Sequence, residues 1–419
     1  MKHFFRRLAV TTALSAVVGS APGLAADKEP IKFATALDFT AVYTFLTDEY
    51  SEGQRDYITL INEAGGIDGH PIEINVSDTG NEPQRGIEAY NRARDDGAVL
   101  VDFLSTPVAR AMVNRVLDDK IPMITALHGR GDASDGETFP YVFPIMATYW
   151  AQAAILVDHM NQEESLEGKK IAHVYIDSPF GREPIPILKK LSEKLDFELK
   201  TFPYASPGNE QSSTWSDVRR FKPDNVIIWG AGGAQAVSVR DGIRNGIRPE
   251  QIHSVVWLAE ADMESVGTDV AKGVRKYQVA ASGTDSDMLK EVMDKVIDAG
   301  KGSGDKKNVG RTYYNVGMAT MAVAVEAARL AIEEHGAPLT GENLAKGFEM
   351  IKDYDAKGLM APVTMSAEDH QGGGLGRVVE WDGEQWAPLG DGEWHASFED
   401  VVWDEIEKEA EKFKEESGD

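Results

Sequence analysis

Short apolar runs alternate with segments whose apolar residues recur on one helical face, and this pattern fills the first third of the chain. Strands are predicted at four apolar runs: 31–37, 71–76, 98–104 and 121–126. Helices are predicted at three amphipathic segments, with a loop over 38–50 before the first: 52–63, 84–96 and 108–118. This β-α-β-α-β order is typical of a parallel sheet that is covered by helices.

The same alternation resumes after residue 148. Further strands are predicted at 170–176, 197–202, 225–229, 254–258 and 273–280. Further helices are predicted at 149–160, 183–195, 215–221, 234–245, 286–299, 311–335 and 341–353. The chain ends differently, with three short antiparallel strands and then an acidic helix: 362–366, 377–381, 385–389 and 399–416. We interpret that helix as a mostly solvated, solubilising tail.

The turn at Ser105 and Thr106 is the first candidate binding element. It follows the nearly continuous apolar run 98–104, which indicates a strand buried on both faces. Thr106 suits a helix N-cap and Pro107 the first helical position. In doubly wound sheets, ligands bind where strands end and helices begin, and a helix N-terminus favours an anion such as a carboxylate. The alternative is a plain capping turn without a ligand.

Composition narrows the classes of partner. The chain has 419 residues, of which 42% are hydrophobic, enough for a core and two domains. Lys and Arg total 43 against 69 Asp and Glu, a net charge of −26, which disfavours nucleic acid and anionic membrane surfaces as partners. The absence of cysteine excludes disulfides, thiolate metal sites, a cysteine nucleophile and a lipid anchor on an N-terminal cysteine.

The N-terminus has the pattern of a signal peptide over residues 1–25. Basic Lys2, Arg6 and Arg7 precede an apolar run that is too short to span a bilayer, and small residues follow it. Cleavage is predicted before Ala26. No later stretch is expected to approach the ~20 apolar residues of a membrane helix, so no direct membrane insertion is predicted. The mature protein is expected in the periplasm, exported and not lipidated.

Patterns for catalysis are weak. A glycine-rich turn over 230–235 follows a strand and precedes a helix, but Gln235 occupies the third glycine position of a dinucleotide-binding fingerprint. No phosphate-binding loop, nucleophile elbow or zinc-protease motif is present, and the histidines lack metal-ligand spacing. Asp78, Asp102 and Asp177 are interpreted as caps at strand ends. No enzymatic activity, cofactor or metal is therefore predicted.

The segment 61–74, I-N-E-A-G-G-I-D-G-H-P-I-E-I, resembles the periplasmic binding proteins of branched-chain amino acid ABC importers, the Leu/Ile/Val-binding type. The resemblance continues in order through most of the mature chain. It includes Ser77-Asp78-Thr79, the I-P-M-I-T strand over 121–125, the D-S-P-F-G-R turn over 177–182 and the segment 358–365.

The resemblance implies a type I periplasmic binding protein. This fold has two Rossmann-like α/β lobes with parallel sheets flanked by helices, joined by a three-crossing hinge, and it closes on a ligand. The implied boundaries are 31–147 plus 283–360 for lobe 1, 148–282 plus 361–395 for lobe 2, and 396–419 for an acidic C-terminal helix or tail.

The resemblance also carries site residues onto this chain. In lobe 1 the ligand carboxylate would be held by Thr106, with Ser105 beside it, and by the turn that contains Leu127 and His128. The family's second hydroxyl position is Gly129 here, a departure for which Arg130 or His128 could compensate. A satisfied loop histidine and a surface arginine are the alternatives.

In lobe 2, Phe180 lies where the family often has a Tyr over the ligand, and Glu260 lies near the acidic partner of the ligand ammonium. Glu260 could instead be a solvated loop acid. Tyr149 and Trp150 replace an acid and a small polar residue, which indicates a flatter or more apolar ligand, or else interlobe packing. Tyr43 is expected to close the pocket, whereas Trp229 is expected in the core.

The implied function is capture of a small amino acid or a related carboxylate or amide, and its delivery to the membrane permease of an ABC importer. The alternative is a binding protein that senses an amide, urea or an aromatic acid through a partner receptor. A secreted enzyme is the third class.

Overall fold

The computed structural model describes residues 28–127 and 129–417 of the 419-residue chain. The predicted signal peptide and the candidate residue His128 lie outside the described residues. Within them the chain forms two separate β-sheets, each flanked by helices. The predicted α/β class is therefore confirmed. We call each sheet, with the helices packed on it, a lobe.

The first lobe contains a five-stranded parallel sheet in the order β2-β1-β3-β4-β5. Its strands are β1 (Ile31–Leu37), β2 (Ile72–Asp78), β3 (Leu100–Phe103), β4 (Met123–Ile124) and β5 (Val142–Phe143). Its first helices are α1 (Thr44–Glu63), α2 (Pro83–Asp95) and α3 (Thr106–Asp119). The central strand β3 comes from the predicted apolar run and is buried along its whole length.

Helix α1 begins at Thr44, so the loop predicted over 38–50 is wrong in its second half. Asp38 explains the early start, because its carboxylate accepts the backbone N–H of Ala41 at 2.7 Å and of Tyr43 at 2.8 Å. These bonds fix the chain immediately before the first helical turn.

The second lobe contains a seven-stranded sheet in the order β12-β11-β10-β9-β8-β6-β7. Its strands are β6 (Lys170–Ile176), β7 (Glu198–Tyr204), β8 (Asn225–Trp229), β9 (Ile252–Ser254), β10 (Arg275–Gln278), β11 (Arg377–Trp381) and β12 (Trp386–Pro388). Its helices are α4 (Tyr149–Glu163), α5 (Pro179–Arg182), α6 (Ile185–Leu195), α7 (Ser212–Phe221), α8 (Gly233–Arg244) and α9 (Glu260–Val266). Only β11 and β12 run antiparallel to their described neighbours.

Between β10 and β11 the chain returns to the first lobe as α10 (Asp287–Val292), α11 (Thr312–His335) and α12 (Gly341–Glu349). Helix α11 crosses α1 at two glycines. A Cβ at Gly317 would lie 2.1 Å from the carbonyl oxygen of Tyr50, and one at Gly53 would lie 2.1 Å from that of Tyr314. A larger residue at either position would therefore force the two helices apart.

Helix α11 is also apolar and long enough to cross a membrane by composition, with a mean hydropathy of 1.3 in its most apolar 18-residue window. The prediction that no later segment approaches this composition is therefore wrong. Because 83% of that window is buried inside the fold, α11 is a core helix.

The strand predicted over 362–366 does not form. Pro362 has no N–H to donate, and the next donors bind different partners. Val363 pairs with Tyr354 in an isolated bridge, whereas the N–H of Met365 binds the carbonyl oxygen of Ile351. This segment is an irregular connection.

The C-terminal helix α13 (Glu399–Ser417) is not the mostly solvated tail that its charge indicated. One side of it is buried, including Val402, Ile406 and Ala410. Its first half packs on α4 and α6 of the second lobe, and Lys190 of α6 binds Glu405 at 2.9 Å. Its second half packs on the first lobe, where the rings of Phe413 and Phe139 are 4.7 Å apart. Helix α13 therefore contacts both lobes.

Candidate functional site

A narrow, mostly enclosed cavity lies between the two lobes, and in this arrangement it has room for about one water molecule. Five lining residues come from the first lobe and four from the second: Tyr43, Phe45, Leu46, Leu104, Thr106, Tyr149, Phe180, Ala231 and Trp257. Most of them follow the carboxyl end of a parallel strand, which is where doubly wound sheets bind ligands. A larger depression between β7 and α7 is open to solvent, so we place the candidate site in the enclosed cavity.

Thr106 is the polar side chain of the first-lobe wall. Its residue is only 5% exposed, it lines the cavity, and its Oγ1 has no hydrogen-bond partner in the part of the chain that the structure describes. The N-cap of α3 is Ser105 instead, which corrects the prediction that Thr106 is the cap. The Ser105 hydroxyl donates to Asn81 Oδ1 at 2.5 Å and accepts the N–H of Val108. Among the described residues, therefore, none binds the Thr106 hydroxyl, whereas the Ser105 hydroxyl binds Asn81 and Val108.

Gly129 stands where the resemblance predicts a second hydroxyl, and its surroundings leave no room for a side chain. A Cβ at this position would lie 2.3 Å from Thr106 Oγ1 and 2.4 Å from its Cγ2, so any side chain would displace Thr106. Leu127 is fully buried and does not line the cavity. Arg130 does not compensate, because its guanidinium binds Asp132 at 2.9 Å and lies between the rings of Phe139 and Phe413, outside the cavity.

Two aromatic rings of the first lobe close the cavity at its rim. Tyr43 and Phe45 are half-buried and flank the start of α1, which Asp38 fixes. Phe45 packs directly against the second lobe, since a Cβ at Gly232 would lie 2.7 Å from its ring. The glycine-rich turn therefore serves close packing between the lobes. The expected position of Tyr43 at the pocket agrees with this arrangement.

Tyr149 and Phe180 form part of the second-lobe wall, with ring centroids 5.1 Å apart. The neighbouring Trp150 points elsewhere, because consecutive helical residues face different directions. Its indole N–H donates to the carbonyl oxygen of Glu183 at 2.9 Å, outside the cavity. Trp229 is fully buried behind Tyr149, as expected for a core residue.

Trp257 is the most constrained residue of the wall, and the sequence analysis missed it. Its indole N–H donates to the Tyr149 hydroxyl at 2.7 Å. Its carbonyl oxygen accepts the Gln235 side-chain amide and the Tyr313 hydroxyl, each at 2.8 Å. Gln235, which breaks the dinucleotide fingerprint, thus positions the cavity wall. The sequence analysis placed Trp257 inside a strand predicted over 254–258, whereas β9 ends at Ser254 and leaves Trp257 beyond the strand.

Glu260 does not line the described cavity. Its two carboxylate oxygens accept the backbone N–H of Thr312 at 3.1 Å and the Thr312 hydroxyl at 3.0 Å. The same hydroxyl accepts a bond from the buried Lys276 ammonium at 2.8 Å. Burial lowers the pKa of Lys276 to about 8, although the nearby Glu260 and Asp262 carboxylates oppose this change. Glu260, Thr312 and Lys276 therefore form a hydrogen-bond network between the lobes.

A second interlobe contact lies beside the cavity. Glu183 of the second lobe binds the guanidinium of Arg110, and its other oxygen accepts the N–H of Gly131 at 2.8 Å. Arg110 also donates to the carbonyl oxygen of Gly129 at 2.7 Å, which fixes the turn against Thr106. Burial raises the pKa of Glu183, while Arg110 opposes that rise.

Two acids that were interpreted as caps at strand ends have different surroundings in the structure. Among residues 28–127 and 129–417, no group of three or more His, Cys, Asp or Glu side chains could hold a metal ion. Asp78 caps the end of β2, accepting the N–H of Phe39 and of Gly80. Asp102 is not such a cap: it is buried within β3, where it binds Tyr50 and Gln54, and burial raises its pKa to about 7.

In total, Tyr43, Thr106, Tyr149 and Phe180 come together in the cavity, whereas Ser105, Leu127, Trp150 and Glu260 do not line it. Phe45, Leu46, Leu104, Ala231 and Trp257 line it without having been predicted. Ligand contact by any of these residues stays a prediction.

Solved structures with the same fold cover nearly the whole chain. One is described as an ABC transporter permease from the Pseudomonas fluorescens group; it is 36% identical, has a TM-score of 0.85, and the match covers 93% of this chain and 97% of that one. Another is a branched-chain amino acid ABC transporter from Thermus thermophilus with bound valine. It has a TM-score of 0.78 and 17% identity, with 90% and 98% covered, and it supports the fold alone.

Sequence comparison agrees. Over 229 residues the chain is 23% identical to Leu/Ile/Val-binding protein homolog 3 of Brucella melitensis, which covers 55% of this chain and 61% of that relative. Residues 30–385 match the periplasmic binding protein family. The chain therefore belongs to the periplasmic binding protein family and has its type I fold.

Proposed function

We propose that this chain is the solute-binding component of an ABC importer. It captures a small amino acid or a related carboxylate or amide between its lobes and delivers it to a membrane permease, without changing it chemically. The observation that carries the proposal is the mostly enclosed cavity, whose walls come from both lobes. A ligand held there would contact both lobes at once and so stabilise their closed arrangement.

The proposed lobe boundaries are 31–147 plus 283–360 and 148–282 plus 361–395, with the C-terminal helix in 396–419. Support comes from the chain crossings. The second and third crossings pair with each other, since Ala280 and Met360 form an antiparallel bridge, flanked by a bond from Ala281 N–H to the carbonyl oxygen of Leu359 at 2.8 Å. A paired double crossing is a compact hinge about which two lobes could rotate.

Family membership implies a periplasmic or extracellular location. The proposed finer location is the periplasm, after cleavage near Ala25-Ala26 and without lipidation. N-terminal sequencing of the exported protein should begin at Ala26 or within a residue or two. Full-length protein retained in the cytoplasm would contradict this location.

Closure without chemistry is tested by isolating the loaded mature protein and identifying its ligand by mass spectrometry. Returning that ligand to the emptied protein should reduce the radius of gyration in X-ray scattering, and the ligand should be recovered unchanged. Conversion of the ligand into a product would overturn the proposed function.

A further inference from the structure

The cavity wall is almost entirely apolar. Eight of its nine residues are aromatic or aliphatic, and Thr106 is the remaining one. No described lining residue is charged. His128, the undescribed residue of the neighbouring turn, bears no carboxylate. A positively charged ligand group would therefore find no described acid in the wall.

Glu260, the acid that the resemblance places near the ligand ammonium, is hydrogen-bonded within the protein. Both oxygens of Glu260 accept hydrogen bonds from Thr312, and Lys276 is linked to the same hydroxyl. Of its acidic neighbours, Asp262 caps α9 through the N–H of Ala259 at 2.9 Å, and Glu264 binds Arg311 at 3.2 Å. None of these three acids lines the described cavity.

Hydrogen-bond donors, in contrast, are available. The Tyr149 oxygen accepts the Trp257 indole N–H, which leaves its own O–H without an acceptor among the described residues. The buried Thr106 hydroxyl also lacks a described partner. Two hydroxyl donors in an apolar enclosure suit a carboxylate, because hydrogen bonds to a charged acceptor are the strong ones there.

We propose that the cleft selects a monocarboxylate with an apolar aliphatic or aromatic body and no ammonium group, in preference to a zwitterionic amino acid. The inference rests on the proposed function and names its substrate class. An ammonium buried in this wall would lose its water without gaining an ion pair, which is costly, whereas a carboxylate would gain the hydrogen bonds of the two hydroxyl donors. Selectivity therefore arises from rejection of the amine as much as from recognition of the carboxylate.

Matched ligand pairs test the inference on the wild-type mature protein. Isocaproate is compared with leucine, and hydrocinnamate with phenylalanine, each pair differing only in the amine. Isocaproamide tests whether the carboxylate is needed. Calorimetric titration should give at least one acid a Kd about a hundredfold lower than its amino acid or the amide.

Each outcome has a definite meaning. An amino acid that binds as tightly as its matched acid overturns the inference, while closure on that amino acid leaves the proposed function standing. An amide that binds as tightly as the acid also overturns it. If none of the five compounds binds but mass spectrometry identifies another captured solute, the inference fails and the proposed function remains. If a bound acid is recovered chemically altered, the proposed function itself fails.

Discussion

Thr106 and Glu260 occupy corresponding places in the two lobes, since each is the first residue of a helix that follows a parallel strand. Their surroundings differ. The Thr106 hydroxyl lines the cavity without a described partner, whereas both Glu260 oxygens are held by Thr312. The same topology thus places two polar groups near the interlobe region. Their hydrogen-bond partners determine which of them can bind a ligand.

The largest effect should come from removing the available hydroxyl. In Thr106→Val the shape at Cβ is kept and the hydrogen bond to a carboxylate is lost, which should weaken binding by about 1.5–3 kcal/mol, or roughly ten- to a hundredfold. Titration of the tightest-binding carboxylate measures the change. Thr106→Ser keeps the hydroxyl and should retain most of the affinity. Equal binding by Thr106→Val and wild type would remove Thr106 from the ligand contacts.

The hydrogen bonds of the Glu260 carboxylate should contribute to the free energy of unfolding of the empty protein. In Thr312→Val, Glu260 loses one donor and the buried Lys276 ammonium loses one acceptor, which should cost about 1–3 kcal/mol of unfolding free energy. Urea denaturation of the empty protein measures it, and Thr312→Ser is the control. An unchanged denaturation midpoint in Thr312→Val would show that the hydrogen bonds of the Thr312 hydroxyl do not stabilise the fold.

The contribution of Lys276 to the free energy of unfolding should also depend on pH. Burial lowers the pKa of Lys276 to about 8, below the ~10.4 of an unfolded lysine. Between these values the unfolded chain binds more protons than the native one, so this group makes stability rise with pH. Lys276→Met should lack that contribution. The difference in unfolding free energy between wild type and variant should shift by on the order of 1 kcal/mol in favour of wild type from about pH 7 to about pH 10. A difference independent of pH would contradict a lowered pKa.

The smallest effect is expected from the carboxylate charge itself. Glu260→Gln keeps the size of the side chain, and carboxylate affinity should change less than about threefold because Glu260 does not line the cavity. The same titration as for Thr106→Val gives the value. A loss above tenfold would bring Glu260 into the ligand contacts and make the two turns alike.

Sequence patterns predicted the order of elements because buried parallel strands are short apolar runs. The strand–turn–helix pattern also predicted Thr106, and the family resemblance predicted Tyr43, Tyr149 and Phe180, all of which line the cavity. The engagement of Glu260 could not be predicted in this way. It depends on Thr312, 52 residues away along the chain. Long-range partners of this kind leave no local pattern.

The burial of one side of helix α13 could have been predicted from the sequence. Val402, Ile406 and Ala410 recur every four residues, a helical stripe that the dense charge of the segment obscured. Phe45 and Trp257 were missed because one was predicted in a loop and the other inside a strand, whereas Phe45 lies in the first turn of α1 and Trp257 lies beyond the end of β9.

Helix α13 has a consequence for the timing of ligand exchange. Its first half is anchored on one lobe and its second half on the other, where Phe413 and Phe139 cover the Arg130 guanidinium. Lobes that separate along this edge must first release one of those anchors. Such contacts raise the barrier to opening for loaded and empty protein alike, so they slow entry and exit together while the intrinsic preference of the cavity stays the same. We therefore expect the final helix to lengthen the time for which the cleft stays shut, whereas the cavity wall determines which solutes it prefers.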